Sequence, residues 1–242
     1  MTSPLLGEFM GTLVLILLGN GCVANVLLKH SKAQGSGWMV ITTGWAFAVM
    51  CALFVAIACG SREANINPAV TLGLAVASGS YSKVVSYSLA QMSGAFVGSI
   101  LVWAHFGPHW KETEDPLMKR MCFCGVPAIR NLFANLLSEI ICTFVLVFVA
   151  GAIFSRTLAS SSFVGIAAPY LLGCLVWSIG LSLGGTTGYG MNPARDFPTR
   201  LAHAVLPIAG KGSSDWSYAP VPFFGPFIGG SLAGLLVRFL HW

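Results

Sequence analysis

Apolar residues run along this chain in six long stretches: 5–28, 38–59, 84–106, 132–154, 163–184 and 219–240. Each is as long as the roughly 20 residues that a helix needs to cross a bilayer. Two shorter apolar pieces remain, 68–78 and 193–203, each about half a span long. Both start at the proline of an Asn-Pro-Ala triplet, within "EANINPAVT" at 63–71 and "GYGMNPARD" at 188–196. Asn is a good N-cap, and Pro suits the first helical turn, whose N–H has no intrahelical partner. Each triplet therefore predicts the start of a short helix. The pattern predicts an all-α membrane protein with six transmembrane helices and two half-helices.

Composition agrees. Of 242 residues, 55% are hydrophobic and only 9% are charged, where a soluble domain carries roughly 25%. The net charge of +5 comes with no basic block, so nothing marks a nucleic-acid partner. The cysteines, Cys22, Cys51, Cys59, Cys122, Cys124, Cys142 and Cys174, are odd in number and lack metal-ligand spacing. No nucleophile–base pair, metal constellation, cofactor motif or phosphate loop points to an enzyme. The first apolar run reads as a span rather than a cleaved signal.

The two halves resemble each other. "EFMGTLVLILLG" from Glu8 matches "EIICTFVLVFVAG" from Glu139, and "AQMSGAFVGSILV" matches "FGPFIGGSLAGLLV". The expected organisation is one channel domain, 1–242, with a first repeat at 1–106, a connecting loop at 107–131 and a second repeat at 132–242. Three spans per repeat invert the second copy, and inverted repeats place a site between them near the midplane. Lys and Arg are in excess on the side away from the termini: Lys29, Lys32, Lys111, Lys119, Arg120, Arg130, Arg200 and Lys211, against Arg62, Lys83, Arg156 and Arg238. By the positive-inside rule alone the termini would lie outside.

Two half-helices entering from opposite faces would meet tip to tip. Each N-terminus carries roughly half a positive charge, which repels cations. Asn67 and Asn192 would each cap their own helix through the side-chain oxygen and offer an amide to a lumen; Pro68, Ala69, Pro193 and Ala194 complete the motifs. The non-helical backbone ahead of each motif is tolerated at this depth only beside a cavity or inside protein. The carbonyls of Ala64, Asn65, Ile66, Gly188 and Gly190 would form its ladder of acceptors. Glu8 and Glu139, ionisable groups inside spans, either prop these loops or sit neutral at a helix seam.

Two Asn-Pro-Ala motifs in inverted halves resemble the major intrinsic proteins, the aquaporins and glycerol facilitators, over nearly the whole chain. That resemblance implies a pore in every subunit, a homotetramer, and cytoplasmic termini in the cell membrane, against the charge count. Asp196 after Arg195 is similar to the glycerol-facilitator branch, bacterial in its nearest relatives. Counted without gaps, the family's narrowest point falls on Phe47, Gly180, Tyr189 and Arg195; a two-residue gap would put Trp45 in place of Phe47. Arg195 would bind solute hydroxyls and repel cations, or else pair with Asp196. Gly180 would leave room for a carbon chain, or simply pack a helix. Tyr189 and Phe47 would form an apolar wall, or belong to a lipid-facing belt. Departures from the family pattern are Asn65 in place of His, Tyr189 in place of Phe, the early Pro198, and the pair Arg62 and Glu63, which either shape a pore mouth or lie in a solvated loop. The segments 107–131 and 204–218 should cover one mouth, and Trp38, Trp110, Trp216 and Trp242 sit near span ends.

The expected function is a passive channel for glycerol, water and other small uncharged solutes that excludes protons and ions, with no cofactor or metal. Neutral lactic acid and a mainly water-selective pore are the alternatives within the class. An ion-coupled secondary transporter and an adhesive membrane scaffold are the alternatives outside it.

Overall fold

A computed structural model describes residues 2–155, 158 and 162–242. Among these, the regular elements are helices: α1 (Pro4–Leu27), α2 (Trp38–Ala58), α3 (Pro68–Ser78), α4 (Val84–His105), α5 (His109–Glu112), α6 (Pro116–Met121), α7 (Leu132–Ile153), α8 (Ser162–Ser182), α9 (Pro193–Val205) and α10 (Pro220–Phe239). Helices α1, α2, α4, α7 and α10 are long and apolar enough to cross a membrane. Helix α8 has 21 residues, with an apolar segment over Ala167–Ser182, and makes the sixth span. The ends fall within about two residues of the apolar runs, the ordinary margin for helix boundaries.

Local chemistry fixes those ends. The Ser3 hydroxyl accepts the Leu6 N–H at 3.1 Å, and the Asn131 side chain accepts the Ala134 N–H at 3.1 Å. Proline opens α1, α3, α9 and α10, where its missing N–H costs nothing. Helix α3 stops at Gly79, whose φ of 76° is left-handed.

Within each half, a matching pair of long helices packs closely. An ideal Cβ on Gly94 would lie 2.1 Å from the Phe9 carbonyl oxygen, and one on Gly229 2.3 Å from that of Ile140. Phe9 and Ile140 directly follow Glu8 and Glu139, so α1 crosses α4 as α7 crosses α10. The half-helices are exchanged: α3 packs mainly on α10 of the other half, and α9 on α4.

The connecting segment folds down onto α1 and α4. Trp110 is buried there, with Phe123, Cys122 and Cys124, against Ala24, Leu28 and Val102, so it is no belt residue; Trp38, Trp216 and Trp242 are exposed. Several cations of this side belong to the fold. Lys119 is buried with its ammonium on the Ala209 carbonyl, and Lys211 donates to the Ala204 and Leu206 carbonyls at the end of α9, both at 2.7 Å. Arg200 is fully buried, and Arg130 pairs with Asp215 at 2.6 Å. A rule that reads charge as topology overcounts such residues. Arg156, counted on the other side, lies outside the described residues.

Candidate functional site

The two Asn-Pro-Ala tips meet. Asn67 caps α3 by accepting the Ala69 N–H at 2.8 Å, and Asn192 caps α9 by accepting the Ala194 N–H at 2.9 Å. Each amide also reaches across to the other half. Asn67 Nδ2 donates to the Met191 carbonyl at 2.7 Å, and Asn192 Nδ2 to the Ile66 carbonyl at 3.0 Å. Each amide has two hydrogens, so the crossed bond fixes its direction and leaves one N–H over. Both Asn side chains line a cavity of about 170 Å³.

The loops ahead of the tips share an unusual backbone. Ala64, Ile66, Tyr189 and Met191 have φ of 44°, 46°, 40° and 49°, a region that non-glycine residues seldom occupy. The two buried carboxylates hold these loops in place. Glu8 accepts the N–H groups of Asn65 and Ile66 at 2.9 and 2.7 Å, the Ser61 hydroxyl at 2.6 Å and the Gln91 amide at 2.7 Å. Glu139 accepts the N–H groups of Gly190 and Met191 at 3.0 and 2.8 Å. Gln91 and Ser61 carried no sequence signal; the glycine crossings put Pro226, which has no amide, where the first half has Gln91. Of the proposed carbonyl ladder, Ala64, Asn65, Ile66 and Gly190 line the inner cavity and Gly188 the outer one. Met191, at the position matching Ile66, lines the inner cavity as well.

A second cavity, of about 450 Å³, lies toward the connecting segment. Trp45, Tyr189 and Arg195 line both cavities and so stand where the two adjoin. Phe47 does not take part: it is 58% exposed on the outside of α2. Trp45, 5% exposed, takes the inward place, with the Arg195 guanidinium 5.1 Å from its ring centroid. Gly180 also departs from expectation, since it lines neither cavity. A Cβ there would lie 2.8 Å from Tyr189 Cζ, so the space left by its missing side chain houses the Tyr189 ring. Trp38 buttresses that ring edge-on at 5.7 Å and donates from Nε1 to the Gly180 carbonyl at 3.0 Å.

Arg195 Nη1 is buried without a hydrogen-bond partner among the described residues. Asp196 is bound elsewhere, to Arg200 at 2.8 Å. At the opposite mouth Glu63 lines the inner cavity and pairs with Lys83 at the start of α4. On the outer side Arg130, beside Asp215, holds that carboxyl below the usual carboxylate range. Burial pushes the Cys124 thiol up to about 12.

Paired half-helices and paired carboxylates in crossing halves have a known counterpart: the pattern of the family described as Major intrinsic protein matches residues 2–237. The chain belongs to the major intrinsic protein family. Among relatives within this family, a probable glycerol uptake facilitator protein of Thermotoga maritima is 54% identical over 98% of this chain and 99% of its own. Glycerol uptake facilitator protein 3 of Lactiplantibacillus plantarum is 49% identical over 98% of this chain and 96% of its own. Among solved structures, the aquaglyceroporin from Plasmodium falciparum superposes with a TM-score of 0.80 at 25% identity, covering 95% of this chain and 92% of that one.

Proposed function

We propose that this protein is a passive channel of the cell membrane, with cytoplasmic termini and four pores per homotetramer, that conducts glycerol, water and other small uncharged solutes. The observation that carries the reading is the constriction formed by Trp45, Tyr189 and Arg195 next to the crossed asparagine tips. One wall of the inner cavity is apolar, with Val49, Leu53, Leu146 and Val176, and suits the CH groups of a polyol. The other is the backbone of the two loops, whose carbonyls accept its hydroxyls. Arg195 donates to the solute at the narrow point; being always charged, it also repels cations. The two helix N-termini add to that repulsion. The spare amide N–H of each Asn donates to a passing oxygen and turns that molecule's hydrogens away, which interrupts a proton-conducting water chain.

The test is stopped-flow light scattering on vesicles that hold the purified protein. After a glycerol jump, reswelling should be much faster than in empty vesicles and independent of ion gradients. Gly180→Ala should push the Tyr189 ring into the lumen, slowing glycerol entry severalfold while shrinkage by water efflux changes less. Reswelling no faster than bare lipid would sink the reading. Accumulation of solute driven by an ion gradient would replace it with a coupled transporter, and faster entry of lactic acid would change the principal solute.

A further inference from the structure

We infer that Arg200 is a positioning residue of the constriction: it holds Asp196 away from Arg195, so that the Arg195 guanidinium meets the lumen without a counter-ion. The inference rests on the channel reading and adds a residue outside the lumen to it.

Sequence neighbours of opposite charge in a nearly water-free site should find each other. Here they do not. Asp196, 1% exposed, gives both oxygens to Arg200, which is fully buried: Nε donates to Oδ1 at 2.8 Å and Nη2 to Oδ2 at 2.9 Å. The rest of the fork is also in use. Nη1 donates to the carbonyls of Ser214 and Asp215 at 2.6 and 3.0 Å, and Nη2 to the Gly125 carbonyl at 3.1 Å. All five N–H donors of Arg200 are therefore satisfied. Asp196 Oδ2 accepts the Gly125 N–H as well, at 2.6 Å. Gly125 is gripped on both its N–H and its carbonyl, and it separates the pair from the filter: a Cβ on it would lie 3.0 Å from Asp196 Oδ2 and 3.5 Å from Arg195 Nη1. Arg195 Nη1, a donor with no hydrogen-bond partner among the described residues, stands just beyond. The four-residue spacing puts Arg200 one helical turn after Asp196 on α9, so the decoy cation and the carboxylate share one face while Arg195 points elsewhere.

Without Arg200 the carboxylate would be buried with one backbone N–H, and the Arg195 guanidinium lies just across Gly125 from it. Its guanidinium would swing to Asp196, and the solute would lose its donor.

Glycerol and water fluxes of vesicles holding wild type, Arg200→Gln, Arg200→Lys and the double variant Asp196→Asn/Arg200→Gln test this. Arg200→Gln should lower glycerol flux roughly tenfold or more, the factor carried by one charge-assisted hydrogen bond, and lower the glycerol-to-water ratio. Arg200→Lys keeps a cation for Asp196 and should retain most of the flux. The double variant removes the carboxylate that would capture Arg195 and should recover near wild-type flux. If Arg200 only tied the loops together, the double variant would be as impaired as Arg200→Gln, and that result overturns the inference. So does unchanged flux in Arg200→Gln. Should Arg200→Gln not fold, retained flux in the other two variants supports the inference, and a tenfold loss in the double variant overturns it. Wild-type flux equal to that of empty vesicles would instead overturn the channel reading, and this inference with it.

Discussion

Glu8 and Glu139 occupy matching places but bind different numbers of donors. Glu8 accepts four, two on each oxygen, and Glu139 two backbone N–H groups, one on each, with only the Thr187 hydroxyl beside it. A glutamine at position 8 turns an NH₂ toward two buried donors, whichever way it flips; at position 139 it turns it toward one. Each unsatisfied donor costs about 1–3 kcal/mol. Glu8→Gln should therefore lower the thermal midpoint in detergent clearly more than Glu139→Gln; equal drops would contradict the asymmetry. Both carboxylates were legible as a repeated acid in an apolar span. Gln91 was not, because it meets Glu8 across 83 residues and nothing near it in sequence marks it. The filter shows a different loss. Residues 45 and 47 differ by about 200° around a helix, so a miscounted loop of two residues exchanges an inward aromatic for an outward one. Gly180 was legible as a missing side chain, but which neighbour would fill the space was not.

The elements themselves were written plainly in the chain, since apolar length and Asn-Pro caps are local signals. What they pack against is not local. The crossing of α1 and α4 depends on Gly94, where a Cβ would meet the Phe9 carbonyl at 2.1 Å. Backbone cannot yield as a flexible side chain does, so Gly94→Ala should part the helices, pull Gln91 from Glu8, and abolish the monodisperse peak in size-exclusion chromatography. Gly21→Ala, in α1 with nothing within 4 Å of its Cβ, should elute as wild type does. A symmetric profile for Gly94→Ala would show that this crossing tolerates more separation than its geometry implies. The matching segments that begin at Glu8 and Glu139 suggested the two halves; the exchange of half-helices between them needed coordinates, because each half-helix is joined in sequence to the half it packs against less.

At the scale of the whole molecule, the segments over the outer mouth are tied by charge. Asp215 accepts two bonds from Arg130, at 2.6 and 3.0 Å, and these chiefly hold its carboxyl below the ordinary 3.8. A depressed folded-state value stabilises the protein above the unfolded value, and the benefit fades as pH falls through the lower, folded one. The pair should thus leave the thermal midpoint flat between about pH 5 and 8. Below about pH 4 the midpoint should drop, and less steeply in Arg130→Gln. An equally steep acid drop in that variant would remove the pair from the account.

The exchanged half-helices also bear on how such a chain is made. Helix α3 leaves the ribosome early, yet the glycine face it settles on belongs to α10, and the carbonyl that steadies Asn67 belongs to Met191. A nascent chain stopped before α10 would hold an orphaned half-helix, with no place of its own in the bilayer. Final closure must wait for the last helix to insert, and quality control during biogenesis would meet an unfinished centre until then.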